Sequence, residues 1–167
     1  LVQSNLELVD LDGKISSFKD KAIYTGISFS PNGEYVMITT ITKPYSYVVP
    51  VSSFPQQVRI YDRSGKEIAL VNETALTEVM PKGFSSTRSG KRAWHWRSDQ
   101  PATLAYVEAL DGGDANKPAE FRDALYTLSY PYNGAGKLIF KIKDRYAGVT
   151  WGNDKYALIN SQWYDTV

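Results

Sequence analysis

One short pattern occurs three times along this chain, and it limits the folds open to it more than any other feature. Phe29-Ser30-Pro31-Asn32-Gly33-Glu34-Tyr35-Val36 is the first copy. Trp96-Arg97-Ser98-Asp99-Gln100-Pro101-Ala102-Thr103-Leu104-Ala105-Tyr106-Val107 is the second, with extra residues in its turn, and Trp151-Gly152-Asn153-Asp154-Lys155-Tyr156-Ala157-Leu158-Ile159 is the third. Each copy runs from an aromatic anchor through a polar turn into an apolar strand that carries a Tyr. The anchors lie 67 and 55 residues apart. Recurrence of a strand–turn–strand unit at this spacing points to the blades of a β-propeller.

A second hairpin type alternates with the first. Leu6-Glu7-Leu8-Val9-Asp10-Leu11 has the two-residue period of a strand and ends at Asp12-Gly13. A near copy is Val58-Arg59-Ile60-Tyr61-Asp62-Arg63-Ser64-Gly65-Lys66, and Ala124 to Phe140, through Gly134 and Gly136, is a weaker relative. Two hairpins make one four-stranded blade. The expected fold is therefore all-β, a partial propeller of antiparallel four-stranded blades, about two complete and two partial. Residues 1–20 would close one blade, 21–72 and 92–145 would each form a whole one, and 146–167 would open a fourth. Residues 73–91, with Pro81, Gly83 and Gly90, would be a connection in which Ala75 to Val79 forms a short helical turn. Pro118 to Leu128 is the other helix candidate, although its second half reads as strand.

At 167 residues the chain suits one domain with a real core. It carries 19 Lys and Arg against 18 Asp and Glu. That balance removes the electrostatic case for a nucleic-acid partner or a polybasic membrane contact. No apolar run approaches the ~18 residues of a membrane span. Cysteine is absent, which excludes disulfides, thiolate metal sites and a thiol nucleophile and leaves the redox compartment open. The chain starts at Leu1 with no signal-like segment after it, and is expected to be a piece of something longer.

Three further strings are distinctive. They are Lys43-Pro44-Tyr45-Ser46-Tyr47-Val48-Val49-Pro50 followed by Phe54-Pro55, then His95 to Leu104, then Val107-Glu108-Ala109-Leu110-Asp111-Gly112-Gly113-Asp114. In this order and spacing the chain resembles, over roughly residues 6–165, the propeller of the prolyl oligopeptidase family of serine peptidases, and within it the glutamyl endopeptidase branch of bacteria and chloroplasts. The resemblance implies an amino-terminal propeller that caps a carboxy-terminal α/β-hydrolase domain holding a Ser-Asp-His triad, and that restricts which peptides reach it. It suggests a bacterial envelope or a plastid stroma. Only propeller sequence is present, so no catalytic residue transfers to any position here, and peptide substrate would be met through the parent enzyme with its missing hydrolase domain.

The residues read consistently with that. A nucleophile elbow needs Gly-x-Ser-x-Gly, and the nearest string, Gly83-Phe84-Ser85-Ser86-Thr87, lacks the second Gly. His95, the sole histidine, stands between Trp94 and Trp96 and is expected to be structural; without Cys it makes no zinc site. Asp10-Leu11-Asp12-Gly13 and Asp111 to Asn116 offer oxygen ligands. The twelfth position of each is Lys21 or Arg122, where a calcium loop needs Glu, so both read as turns and no metal or cofactor is expected. Asn72-Glu73-Thr74 fits a glycosylation sequon and is assigned no function.

Tyr45 and Tyr47, in a Pro-bounded segment too irregular for an interior strand, are candidates for the lip of a substrate cavity, against the plainer reading of a packed loop. Arg88, Arg92 and Arg97, with Lys91, are the cations that could attract an acidic substrate side chain. Their plainer reading is solvated charge that protects strand edges. Trp94, Trp96 and Trp151 are expected in core between blades. Two other functions keep the repeats without a hydrolase domain: a protein-binding scaffold propeller, and more weakly a carbohydrate-binding β domain using exposed Tyr and Trp. As an arc of blades, the isolated chain is expected to self-associate through its exposed faces and edges.

Overall fold

The computed structural model describes residues 2–164, and within them the regular structure is eleven β-strands and one 3-10 turn, Val51–Ser53. All strand pairing is antiparallel, and no α-helix occurs among the described residues. Leu1 and residues 165–167, the end of the segment expected to open a fourth blade, lie outside the described residues. The chain forms two compact units, Leu1–Glu78 and Val79–Val167.

The first unit is one sheet in the order β1 (Ser4–Val9), β2 (Ile15–Phe29), β3 (Tyr35–Ile41), β4 (Gln56–Asp62), β5 (Glu67–Thr74). At 15 residues, β2 serves two partners. Its first half pairs with β1, from Ser4↔Ala22 to Val9↔Ile15, and its second half with β3, from Ile23↔Ile41 to Phe29↔Val36. Alternation along β3 then fills both faces of the sheet. Val36 and Ile38, with Tyr61, are buried against Leu6, Phe18 and Tyr24. On the other side Ile23, Ile41 and Phe54 are buried against Val49 and Leu76.

The two strand-Asp-Gly-Lys hairpins fold alike. Asp10 Oδ1 accepts the N–H groups of Asp12 (3.0 Å) and Lys14 (2.8 Å), and Asp62 Oδ1 accepts those of Ser64 (2.9 Å) and Lys66 (3.0 Å). Gly13 and Gly65 follow at φ 81° and 85°, the left-handed angle that closes such a turn. The acidic side chains are thus consumed by turn N–H groups.

The second unit has a four-stranded sheet, β6 (Lys91–Trp96), β7 (Thr103–Ala109), β8 (Asp123–Ser129), β9 (Lys137–Ile142), and a separate hairpin, β10 (Arg145–Trp151) with β11 (Ala157–Gln162). Ala105, Val107 and Leu125 are wholly buried beneath Tyr146, Val149, Trp151 and Ile159 of that hairpin. On the opposite face Tyr106 is sandwiched between Trp94 (centroids 4.4 Å) and Tyr126 (5.2 Å). The first unit is thus a five-stranded antiparallel meander and the second a four-stranded one with a hairpin laid on one face, an all-β arrangement compatible with a partial propeller.

One local expectation is corrected, and one ambiguous stretch is decided in favour of the strand expected for its second half. Ala75 to Val79 makes no helical turn, because the Thr77 N–H is drawn across to the Ser53 carbonyl at 2.9 Å. Pro118 to Leu128 holds no helix: its second half is β8. The backbone of Arg122 is already taken, its C=O by Leu110 N–H (2.8 Å) and its N–H by Ile142 C=O (2.9 Å), so the groups a helix needs are in the sheet.

Candidate functional site

The β6–β7 turn, closed by Arg97 N–H to Thr103 C=O at 2.8 Å, sets Arg97 where β10 packs against the sheet. Its guanidinium grips Asp99 with both arms, Nε to Oδ1 at 3.0 Å and NH2 to Oδ2 at 2.6 Å, and lies 4.2 Å from the centre of the Trp151 ring. The hydrogen bond from Arg97 holds the Asp99 carboxyl below its ordinary pKa. Next to it, the Trp151 indole N–H donates to His95 Nε2 at 3.3 Å, while His95 Nδ1 lies 2.8 Å from the Ala93 carbonyl. A carbonyl only accepts and an indole N–H only donates, so in these two contacts Nδ1 is the donor and Nε2 the acceptor. Nε2 of His95 joins β6 to β10, and Nδ1 is held within β6.

Beside this junction is a cleft of about 310 Å³ lined by Arg97, Lys137, Trp151, Lys155 and Tyr156, with Asp154 as its acid. With Arg97 already met by Asp99, Lys137 and Lys155 against Asp154 leave the cleft net positive over an aromatic wall, which suits a bound carboxylate-bearing group by charge complementarity and a stacking surface.

The other arginines are placed differently. Arg92, at the far end of β6 from Arg97, is ion-paired with the fully buried Asp123, and its NH1 is buried without a partner. Arg88 lies half-buried in the stretch before β6, where burial lowers its pKa. Arg92 and Arg97 therefore do not converge on one ligand; each is committed to its own acid. In the first unit, Tyr45 stacks on Phe54 (centroids 6.1 Å) and edges a hollow of about 490 Å³ with Lys21 and Ile23, while Tyr47 is fully exposed. Trp94 and Trp96 pack within their own sheet, on Tyr106 and Tyr132, and Trp151 is the tryptophan that bridges hairpin and sheet.

Sequence reasoning missed a buried ionic network. Arg145, 5% exposed, donates NH2 to Asp111 Oδ2 (2.6 Å), NH1 to Asp123 Oδ1 (3.1 Å) and Nε to the Ser85 carbonyl (2.7 Å). Asp111 also accepts from Arg122 NH1 (3.1 Å) and from the Gly113 N–H (2.9 Å). Asp123 also accepts from the Tyr146 N–H at 2.7 Å. Burial pushes the Asp111 pKa up, but the hydrogen bonds from Arg145, Gly113 and Arg122 outweigh it and hold the carboxyl below its ordinary value. One signal was available: Asp123 shares strand parity with Leu125 and Thr127, and an acid on the inward face of a strand calls for an inward cation. Among the described residues no group of three or more His, Asp or Glu side chains is arranged to hold a metal.

Two plant proteins match nearly the whole chain. It is 39% identical over 165 residues to a protein of Oryza sativa subsp. japonica named "Probable glutamyl endopeptidase, chloroplastic". It is 34% identical over 165 residues to a protein of the same name from Arabidopsis thaliana. The matches take in 98% of this chain but only 18% and 17% of those proteins, so the chain spans under a fifth of their length. No family model matches it, and no solved structure does. The chain is homologous to a segment of peptidase-related proteins.

Proposed function

We propose that this chain is the substrate-gating, propeller-forming segment of a serine peptidase of the glutamyl endopeptidase type, with peptide hydrolysis carried by an α/β-hydrolase domain outside it. The observation that carries the reading is the 39% identity to a protein of that name, sustained across 98% of the chain. The side chains support a role without bond-breaking. His95, the one imidazole, has one nitrogen on Trp151 and the other on a backbone carbonyl, so it is not free to take a proton from a nucleophile.

Substrate selection on this reading draws on cations that face open space. Lys137 and Lys155, exposed in the cleft beside the Asp99-paired Arg97, would attract an acidic peptide side chain, and in the first unit Tyr45 and Tyr47 would offer aromatic surface. Arg92, already neutralised by Asp123, contributes by holding the sheet. The test is a peptide series, matched except for Glu, Gln or Lys at one position, given to the parent protein and to this chain alone. The parent is expected to cleave after Glu, and Lys155→Ala in the parent to raise KM for the Glu peptide more than it lowers kcat. The isolated chain is expected to cleave none. Turnover by the isolated chain that disappears with His95→Ala would overturn the proposal, as would a parent with no peptidase activity.

A further inference from the structure

The two compact units meet in sequence at Glu78 and Val79. The last backbone anchor before that point is Thr77 N–H to Ser53 C=O. The first after it is the Lys82 carbonyl, which accepts from Ser86 Oγ (3.1 Å) and Asn116 Nδ2 (3.3 Å). Between these anchors Glu78, Val79 and Met80 are exposed, Val79 at 83%, and belong to no strand. A peptidase binds its substrate as an extended, accessible segment, and connections between folded units meet that need with the least local unfolding.

The chain has seven glutamates, and the structure separates Glu78 from the rest. Glu7, Glu67, Glu73 and Glu108 lie in strands β1, β5 and β7. Glu34 is in the tight turn before β3, with its N–H on the Asn32 side chain (3.1 Å) and its carboxylate paired with Arg63. Glu120 is exposed, but Arg122 two residues later is fixed by both backbone groups and by its side chain on the Lys117 carbonyl. Only at Glu78 does a glutamyl bond combine exposure, freedom from pairing and a position between two units that each keep their own core.

We propose that Glu78–Val79 is a self-processing site, cut by the glutamyl-selective activity of the parent protein itself; this rests on the function proposed above. The step is hydrolysis. Water adds across the amide, Glu78 leaves with a new carboxylate, Val79 leaves with a new amine, and nothing is oxidised or reduced. Each unit retains its hydrogen-bonded sheet after the cut, so the product is a nicked protein and not a degraded one.

The full-length parent, incubated alone at micromolar concentration, is the system to use, with amino-terminal sequencing and intact mass as readouts and a Glu-containing peptide as the control for activity. The expected result is a new amino terminus at Val79. Glu78→Gln should abolish it and leave turnover of the control peptide unchanged. Normal peptide turnover with no Val79 terminus, or a first cut after Glu34 or Glu120, overturns the self-processing proposal and leaves the peptidase reading standing. Absence of peptide turnover overturns both.

Discussion

Arg145 is the residue on which the second unit depends most. All three of its guanidinium nitrogens are engaged, and its partners Asp111 and Asp123 have fully buried side chains. Removing one member of a buried ion pair strands the other without water, a loss of about 3–5 kcal/mol. Arg145→Ala is expected to lower stability by that amount, read as a shift in the urea midpoint followed by tryptophan fluorescence. Asp111 adds a pH dependence. Its pKa when folded lies below its ordinary value, so it contributes stability at pH above about 4 that is lost as pH falls through the folded value. Between pH 5 and 3 the urea midpoint of the natural chain should therefore fall more steeply than that of Asp111→Asn. Equal slopes would show that the Asp111 carboxylate does not supply this term. Half of the role of Asp111 was legible: Asp-Gly-Gly announces a turn, and Gly113 N–H does bond to Oδ1. The other half was not, because the partners of Oδ2, Arg122 and Arg145, stand 11 and 34 residues further on.

At the scale of elements, the hairpins were the most legible part of the fold, since period-two alternation and turn residues are local signals. Asp10 and Asp62 build the same turn from the same spacing, and Asp62→Ala should lower the urea midpoint through its lost turn hydrogen bonds. β8 was less legible. Phe121 to Leu125 has no decisive period, and pairing with β7 and β9 decides it, an interaction absent from the local sequence. The β8–β9 connection also holds a close approach that no pattern announces. A methyl group on Gly136 would lie 2.5 Å from Tyr106 Oη and 2.8 Å from its Cε1. Tyr106 cannot yield, held between Trp94 and Tyr126. Gly136→Ala is expected to cost about 1–3 kcal/mol, the range of overpacking, and to reduce the near-ultraviolet circular dichroism of the ring stack. An unchanged aromatic signal would mean that the connection moves and the stack does not.

At the scale of the whole molecule, the second unit carries exposed apolar side chains on strands that pair on one side within it. Along β9, Leu138, Ile139 and Phe140 are exposed, and Leu158 on β11 is 74% exposed. Unpaired edges beside apolar side chains are templates for further pairing. The isolated chain is expected to associate in the micromolar range, and the double change Phe140→Lys with Leu158→Lys to return it toward monomer in sedimentation velocity. A natural chain already monomeric at 50 μM, roughly the concentration at which such edges find each other, would remove the premise. The candidate cleft was only partly legible for the same reason that the network was missed. Arg97 could be picked out as a cation near an aromatic motif, but Lys137, Lys155 and Trp151 reach it through stacking of distant strands. The reach of Arg145 also has a consequence in time. Its bonds run back 22, 34 and 60 residues to Asp123, Asp111 and Ser85. During synthesis those groups leave the ribosome first and must stay hydrated until residue 145 follows, so the core of the second unit cannot close one strand at a time as the chain emerges.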